Sequence, residues 1–210
     1  MYKNEWPSEI FVSGTDTEIG KTVVSAILTK GLEASYWKPI QAGLEEETDT
    51  QFVQRTTDFS DEYIIPERYR LETPMSPHGA AEIDDVYIEM SDFEMPEYET
   101  DHLIVEGAGG LLVPFNDDKM IIDLIERLGI PVLLTARSTL GTLNHTFLSL
   151  EALRSRDIPI LGVVLNGPQH QSNREAIQHY GDINIIAEID TLESLNADTL
   201  KKTFDEQFCL

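Results

Sequence analysis

Short apolar runs alternate with amphipathic stretches along the whole chain. The runs fall at residues 10–13, 35–40, 102–105, 131–135, 160–165 and 183–187, each the length of a strand rather than of a helix. Between them, apolar residues recur with helical spacing at residues 21–32, 120–128, 144–155 and 171–180. This alternation predicts an α/β fold, a doubly wound, mostly parallel sheet with helices on both faces. No internal repeat interrupts the pattern, and residues 1–210 are expected to form a single domain. The stretch 45–100 is acidic, proline-rich and weakly periodic, and predicts one or two helices joined by long loops.

In open parallel sheets, ligands bind at the carboxyl ends of the strands. The chemistry is therefore sought just after the apolar runs. After residues 10–13 comes Gly14-Thr15-Asp16-Thr17-Glu18-Ile19-Gly20-Lys21-Thr22, and helical periodicity begins at once. Strand, glycine-bounded loop and helix make the context of a P-loop. Loop N–H groups and the positive helix end surround phosphates, Lys21 reaches the β- and γ-phosphates, and the Thr22 hydroxyl ligates Mg²⁺. Gly20 lets the backbone approach the ligand. Five residues separate Gly14 from Gly20, one more than the usual spacing. The alternative, a helix start with a fortuitous Gly-Lys-Thr, leaves the preceding strand unexplained.

Two further segments carry charge into apolar surroundings. Residues 102–105 lead into Glu106-Gly107-Ala108-Gly109-Gly110, where a carboxylate beside small residues suits a metal ion or its water. Its competing role is to cap a tight turn. Tyr36-Trp37-Lys38-Pro39-Ile40-Gln41-Ala42-Gly43 places a lysine within an apolar strand. Facing a core, it needs an anion, and a phosphoryl group is the expected partner. At a sheet edge it reaches solvent instead. Asp49 stands in a polar loop at the start of an expected helix.

Composition narrows the function classes. The net charge of −23, from 15 Lys and Arg against 38 Asp and Glu, argues against a nucleic-acid surface. High-salt adaptation and plain solubility both account for it. No run approaches the ~20 apolar residues of a membrane span, and the first six residues carry no apolar signal segment, so a soluble cytoplasmic protein without membrane contact is expected. The single cysteine, Cys209, has no companion thiol, and His78, His102, His145, His170 and His179 show no ligand-like grouping.

In this order the motifs resemble the dethiobiotin synthetase family along nearly the whole chain. Residues 14–22 are similar to that family's own P-loop, extra residue included, and residues 36–43 to its Lys-Pro segment. Thr73-Pro74-Met75-Ser76-Pro77-His78, residues 105–110 and Leu140-Gly141-Thr142-Leu143-Asn144-His145 resemble three further segments. The resemblance implies a P-loop NTPase-like fold and a homodimer that converts 7,8-diaminononanoate, CO₂ and MgATP to dethiobiotin, ADP and phosphate. It makes Lys21 and Lys38 catalytic and gives Mg²⁺ to Thr22, Asp49 and Glu106. The nucleotide falls to Glu18, Ile19, Gly20, Lys21, Thr22, Val23, Asp49, Glu106, Gly107, Ala108, Gly109 and, at the adenine, Asn166. Ala42 and Gly141, Thr142, Leu143 and Asn144 would meet the substrate, the last four from the neighbouring subunit. Ala42 departs from the hydroxyl residue often found there, and Asp190 replaces a proline near the adenine, which bears on the preference for ATP. The rival readings are a related P-loop amidoligase, which normally adds a glutaminase domain with a nucleophilic cysteine, and a partition-type nucleotide switch. Such switches usually carry a second lysine within the loop, and Thr15, Asp16, Thr17, Glu18 and Ile19 supply none.

Overall fold

Alternate residues of the central strand point to opposite faces of one sheet, and both faces are buried. In β1 (Glu9–Gly14), Ile10 and Val12 pack into one hydrophobic cluster while Phe11 packs into another. The computed structural model describes residues 6–208; Cys209 and residues 1–5 of the leading segment lie outside the described residues. The other strands are β2 (Ser35–Trp37), β3 (Ile40–Ala42), β4 (Ile64–Ile65), β5 (Tyr69–Leu71), β6 (Leu103–Gly110), β7 (Val132–Arg137), β8 (Ile160–Asn166) and β9 (Ile185–Ile189).

Seven of these form one sheet in the order β4-β2-β6-β1-β7-β8-β9, with parallel neighbours throughout. The chain leaves β1 for β2 on one side and later crosses from β6 to β7 on the other. Connections therefore diverge around the carboxyl end of β1, the switch point of a doubly wound sheet. Helices α1 (Lys21–Leu32), α2 (Asp49–Thr57) and α7 (Ala197–Gln207) bury Ile27, Val53 and Phe204 against one face. On the other lie α3 (Pro77–Ile83), α4 (Ile121–Leu128) and α5 (Thr142–Arg154), through Ala80, Ile125 and Leu153. Against α5 packs α6 (Gln171–Gly181).

Three expectations change. The run 35–40 is not one strand: β2 stops at Trp37, and Ile40 opens a separate two-stranded parallel sheet of β3 and β5. Pro39 divides them, having no N–H to give a ladder, while its carbonyl accepts from Arg68 and Tyr69 N–H at 3.0 Å each. Within residues 45–100, α2 and α3 are the two expected helices, but β4 and β5 are too short to show a period. The long loop before β6 is held by buried Ile88 and Phe93, whose carbonyls accept from Asn116 Nδ2 (2.8 Å) and Arg127 Nε (2.7 Å).

The third change is α7, which the apolar pattern does not signal because only Leu200, Thr203 and Phe204 are buried on it. Asn196 caps it, accepting from the Thr199 N–H at 3.0 Å. It lies close on α1: a Cβ at Gly31 would stand 2.0 Å from Cγ of Phe204. Alanine elsewhere in a helix gains about 1 kcal/mol over glycine. Here Gly31→Ala should instead destabilise the protein by about 1–3 kcal/mol, the usual cost of overpacking, read by denaturant unfolding. Unchanged or higher stability would show that α7 shifts freely.

Candidate active site

The phosphate loop is built by the passage from β1 to α1. Thr15 N–H bonds the Thr135 carbonyl of β7 at 2.9 Å, which extends the sheet into the loop. Glu18 and Gly20 then take left-handed conformations, φ 53° and 89°, so that the backbone curls before α1 begins at Lys21. Only glycine fits at position 20, since a Cβ there would meet Asn166 Nδ2 at 2.1 Å. That Nδ2 donates to the Ile19 carbonyl at 2.9 Å, so the end of β8 braces the loop.

Lys21 is 7% exposed and folds back over the loop, donating to the Asp16 carbonyl at 3.0 Å. Burial draws its ammonium below the ordinary lysine range, opposed by the Glu106 charge and reinforced by that of Lys38. Arg137, at the end of β7, pairs with Asp16 at 2.7 Å and ties the loop from outside.

Beside the loop lies a compact charged group. Thr22 Oγ1 is 2.7 Å from Asp49 Oδ1 and 2.9 Å from Glu106 Oε1. A hydroxyl has one hydrogen and cannot donate to both. Three hard oxygens on such a small triangle suit a divalent cation such as Mg²⁺, which prefers oxygen donors. Among the described residues, no three His, Cys, Asp or Glu side chains converge as a metal group.

Lys38 is the counter-charge. It stands just past the end of β2, 4% exposed, with Nζ 2.7 Å from Asp49 Oδ2 and 3.2 Å from Glu106 Oε1. The anions of the protein itself that meet it are carboxylates. Burial lowers its pKa, but Glu106 and Asp49 outweigh burial, and the net shift is upward. For Asp49, burial raises the pKa, but Lys38, with help from Thr22 and Lys21, carries the net shift downward. The pair is thus held charged.

Glu106 is 1% exposed and sits in mid-strand, because β6 continues to Gly110 instead of stopping at residue 105. Asp49 is the first residue of α2, fixed by the reciprocal bonds of Thr48 and Gln51. Gln41 Oε1 also accepts from the Asp49 N–H at 3.3 Å. These groups line a cleft of about 1290 Å³ that continues past Ala42, Ala108 and Gly109 to Leu112, His145 and Leu148.

Not every expected residue meets in that cleft. Glu18, Gly20, Lys21, Thr22, Val23, Lys38, Ala42, Asp49, Glu106, Ala108 and Gly109 line it; Ile19, Gly107 and Asn166 do not, although half-exposed Asn166 touches the loop through the Ile19 carbonyl. Gly141, Thr142, Leu143 and Asn144 do not line it, although His145 of the same helix does. Gly141 takes φ 95° and Thr142 opens α5, two residues before the expected start. Sequence reasoning assigned no role to Tyr36, Gln41 or Arg137, whose partners lie 70, 8 and 121 residues away and leave no local pattern.

A family model described as an AAA domain matches residues 8–199. ATP-dependent dethiobiotin synthetases of Rhodopseudomonas palustris (strain TIE-1) and Brucella ovis are each 47% identical over 201 residues, 96% of this chain and 94% of theirs. The chain belongs to the dethiobiotin synthetase family. Another relative of this synthetase, the biotin biosynthesis bifunctional protein BioCD of Bordetella avium, is 47% identical over 91% of the chain, which spans 41% of that longer protein.

Among solved structures, a ParA family ATPase from Chlorobium tepidum (TM-score 0.55, 13% identity) covers 94% of this chain and 97% of its own. The cell division ATPase MinD from Pyrococcus furiosus (TM-score 0.54, 15% identity) covers 95% and 98%. These establish that the chain shares the α/β fold of the ParA and MinD ATPases. Just past the end of β9, Asp190 is exposed and accepts from the Thr191 N–H at 2.7 Å.

Proposed function

We propose that this chain makes dethiobiotin by ATP-driven carboxylation and ring closure of 7,8-diaminononanoate. One substrate amine takes up CO₂ as a carbamate, whose oxygen attacks the γ-phosphate and releases ADP. The second amine then closes on the carbonyl carbon of the mixed anhydride, and phosphate departs with the oxygen that bridged it. The observation that carries this reading is the convergence of buried Lys21 and Lys38 with Thr22, Asp49 and Glu106 at the head of the loop.

Such chemistry needs charge stabilisation and alignment more than covalent help from the protein. Residues 18–23 wrap the phosphates, with Gly107, Ala108 and Gly109 alongside. Lys21 follows the charge on the transferring phosphoryl group, and Lys38 holds the carbamate and the same group. Asn166 keeps one N–H and its carbonyl for the adenine edge. Thr22, Asp49 and Glu106 would hold Mg²⁺, which would supply neutralisation of phosphate charge. We place the reaction in the cytoplasm, where ATP is supplied, and infer no nucleic-acid partner for so acidic a chain.

The substrate carboxylate is assigned to the first turn of α5 in a second copy, where helix N–H groups favour an anion. Residues 141–144 stand outside the cleft of their own chain, and Leu140 is 98% exposed. Light scattering should therefore find a dimer at assay concentration; a fully active monomer would refute the shared site.

Coupling gives the direct test of function. ADP should form only when the diamine and CO₂ or bicarbonate are both present, because no Gln in the loop activates water. Lys21→Ala should abolish this turnover, and Lys38→Ala should reduce it by on the order of 10² or more. A rapid ATPase indifferent to the diamine would favour the nucleotide switch.

A further inference from the structure

Glu106 uses its two carboxylate oxygens differently. Oε1 faces the active site, 2.9 Å from Thr22 Oγ1 and 3.2 Å from Lys38 Nζ. Oε2 points away from it and accepts from the hydroxyl of Tyr36 at 3.0 Å. Tyr36 has no exposed surface, and its ring lies in the cluster of Ile10, Val12, Ile27 and Ile104. It does not line the cleft, so neither substrate nor nucleotide reaches it.

The placement follows from the sheet. Tyr36 and Trp37 of β2 pair with Ile104 and Val105 of β6, so Tyr36 is anchored two residues before the carboxylate it touches. Terminal carboxylate torsions are broad and roughly two-fold, so packing alone fixes a Glu headgroup poorly. A directional donor from a rigid core ring supplies the missing constraint.

We propose that Tyr36 is a positioning residue that locks the Glu106 carboxylate with Oε1 turned toward Thr22 and Asp49, so that the oxygen set is formed before the metal–nucleotide complex arrives. This rests on the reading that Glu106 helps to hold the divalent cation. Partners behind a metal ligand commonly change metal affinity by about 10- to 100-fold when removed. Tyr36 acts through Glu106 alone, since its oxygen has no other hydrogen-bond partner among the described contacts that reaches the site.

The test uses Mn²⁺ in the presence of ADP, with the free-ion EPR signal reporting bound metal independently of turnover. Tyr36→Phe removes one oxygen and keeps the ring. It should weaken Mn²⁺ binding by about ten-fold, with kcat falling at low metal and recovering at saturating metal. In a Glu106→Gln background the same substitution should leave Mn²⁺ affinity unchanged. Tyr36→Met, an adaptable core filler without a donor, gives the same comparison should the phenylalanine variant fold poorly. A merely structural role would lower the melting temperature with Mn²⁺ affinity unchanged, and that result overturns the proposal. Equal losses with and without Glu106 also overturn it. Absence of Mn²⁺ binding by the wild-type protein would remove the metal reading as well, whereas wild-type binding with unaffected variants removes this proposal alone.

Discussion

An ammonium ion held inside the protein between two carboxylates is the constraint around which the site is organised. Taking Lys38, Glu106 and the inner part of Asp49 from water is costly, and only their mutual attraction and hydrogen bonds offset it. Losing one partner of such a buried group commonly costs on the order of 3–5 kcal/mol. The group also ties together three elements distant in sequence: the end of β2, the start of α2 and the middle of β6. Through Thr22 it reaches the first turn of α1 and hence the phosphate loop. The charge balance therefore fixes the geometry as well as the field.

The rest of the architecture supports that arrangement. A sheet covered on both faces puts β1 and β6 side by side with Val12 opposite Glu106, and this brings the loop and the carboxylate into register. Asn166 and Arg137 brace the loop from the ends of β8 and β7, while Tyr36 and Gln41 hydrogen-bond Glu106 and Asp49. Preformed oxygens and ammonium groups need little reorganisation when charge develops in a transition state, which is where catalytic benefit arises.

The loop, the Glu106 segment and Lys38 were legible because each combines an apolar strand with an abrupt change of residue type. The main strands were legible for the same reason, being buried on both faces. What escaped the sequence has physical causes. Strands β4 and β5 have two and three residues and no measurable period. Helix α7 buries too few side chains to stand out, and its anchor is the absence of a side chain at Gly31. The carboxylate partners of Lys38 lie in other elements, so the need for an anion was legible in the sequence while Asp49 and Glu106 as its protein partners were not. Tyr36 reads locally as one more apolar strand residue, and nothing near it in sequence names Glu106.

The central claim is that the two lysines and the oxygen set direct a carbamate oxygen, rather than water, onto the γ-phosphate. The most direct measurement follows that oxygen: turnover with ¹⁸O-labelled bicarbonate in unlabelled water, with the released phosphate read by ³¹P NMR before the label exchanges. Attack by the carbamate and departure of phosphate with the bridging oxygen predict one ¹⁸O in each phosphate formed. Phosphate free of label, released at the rate of dethiobiotin formation, would contradict the account.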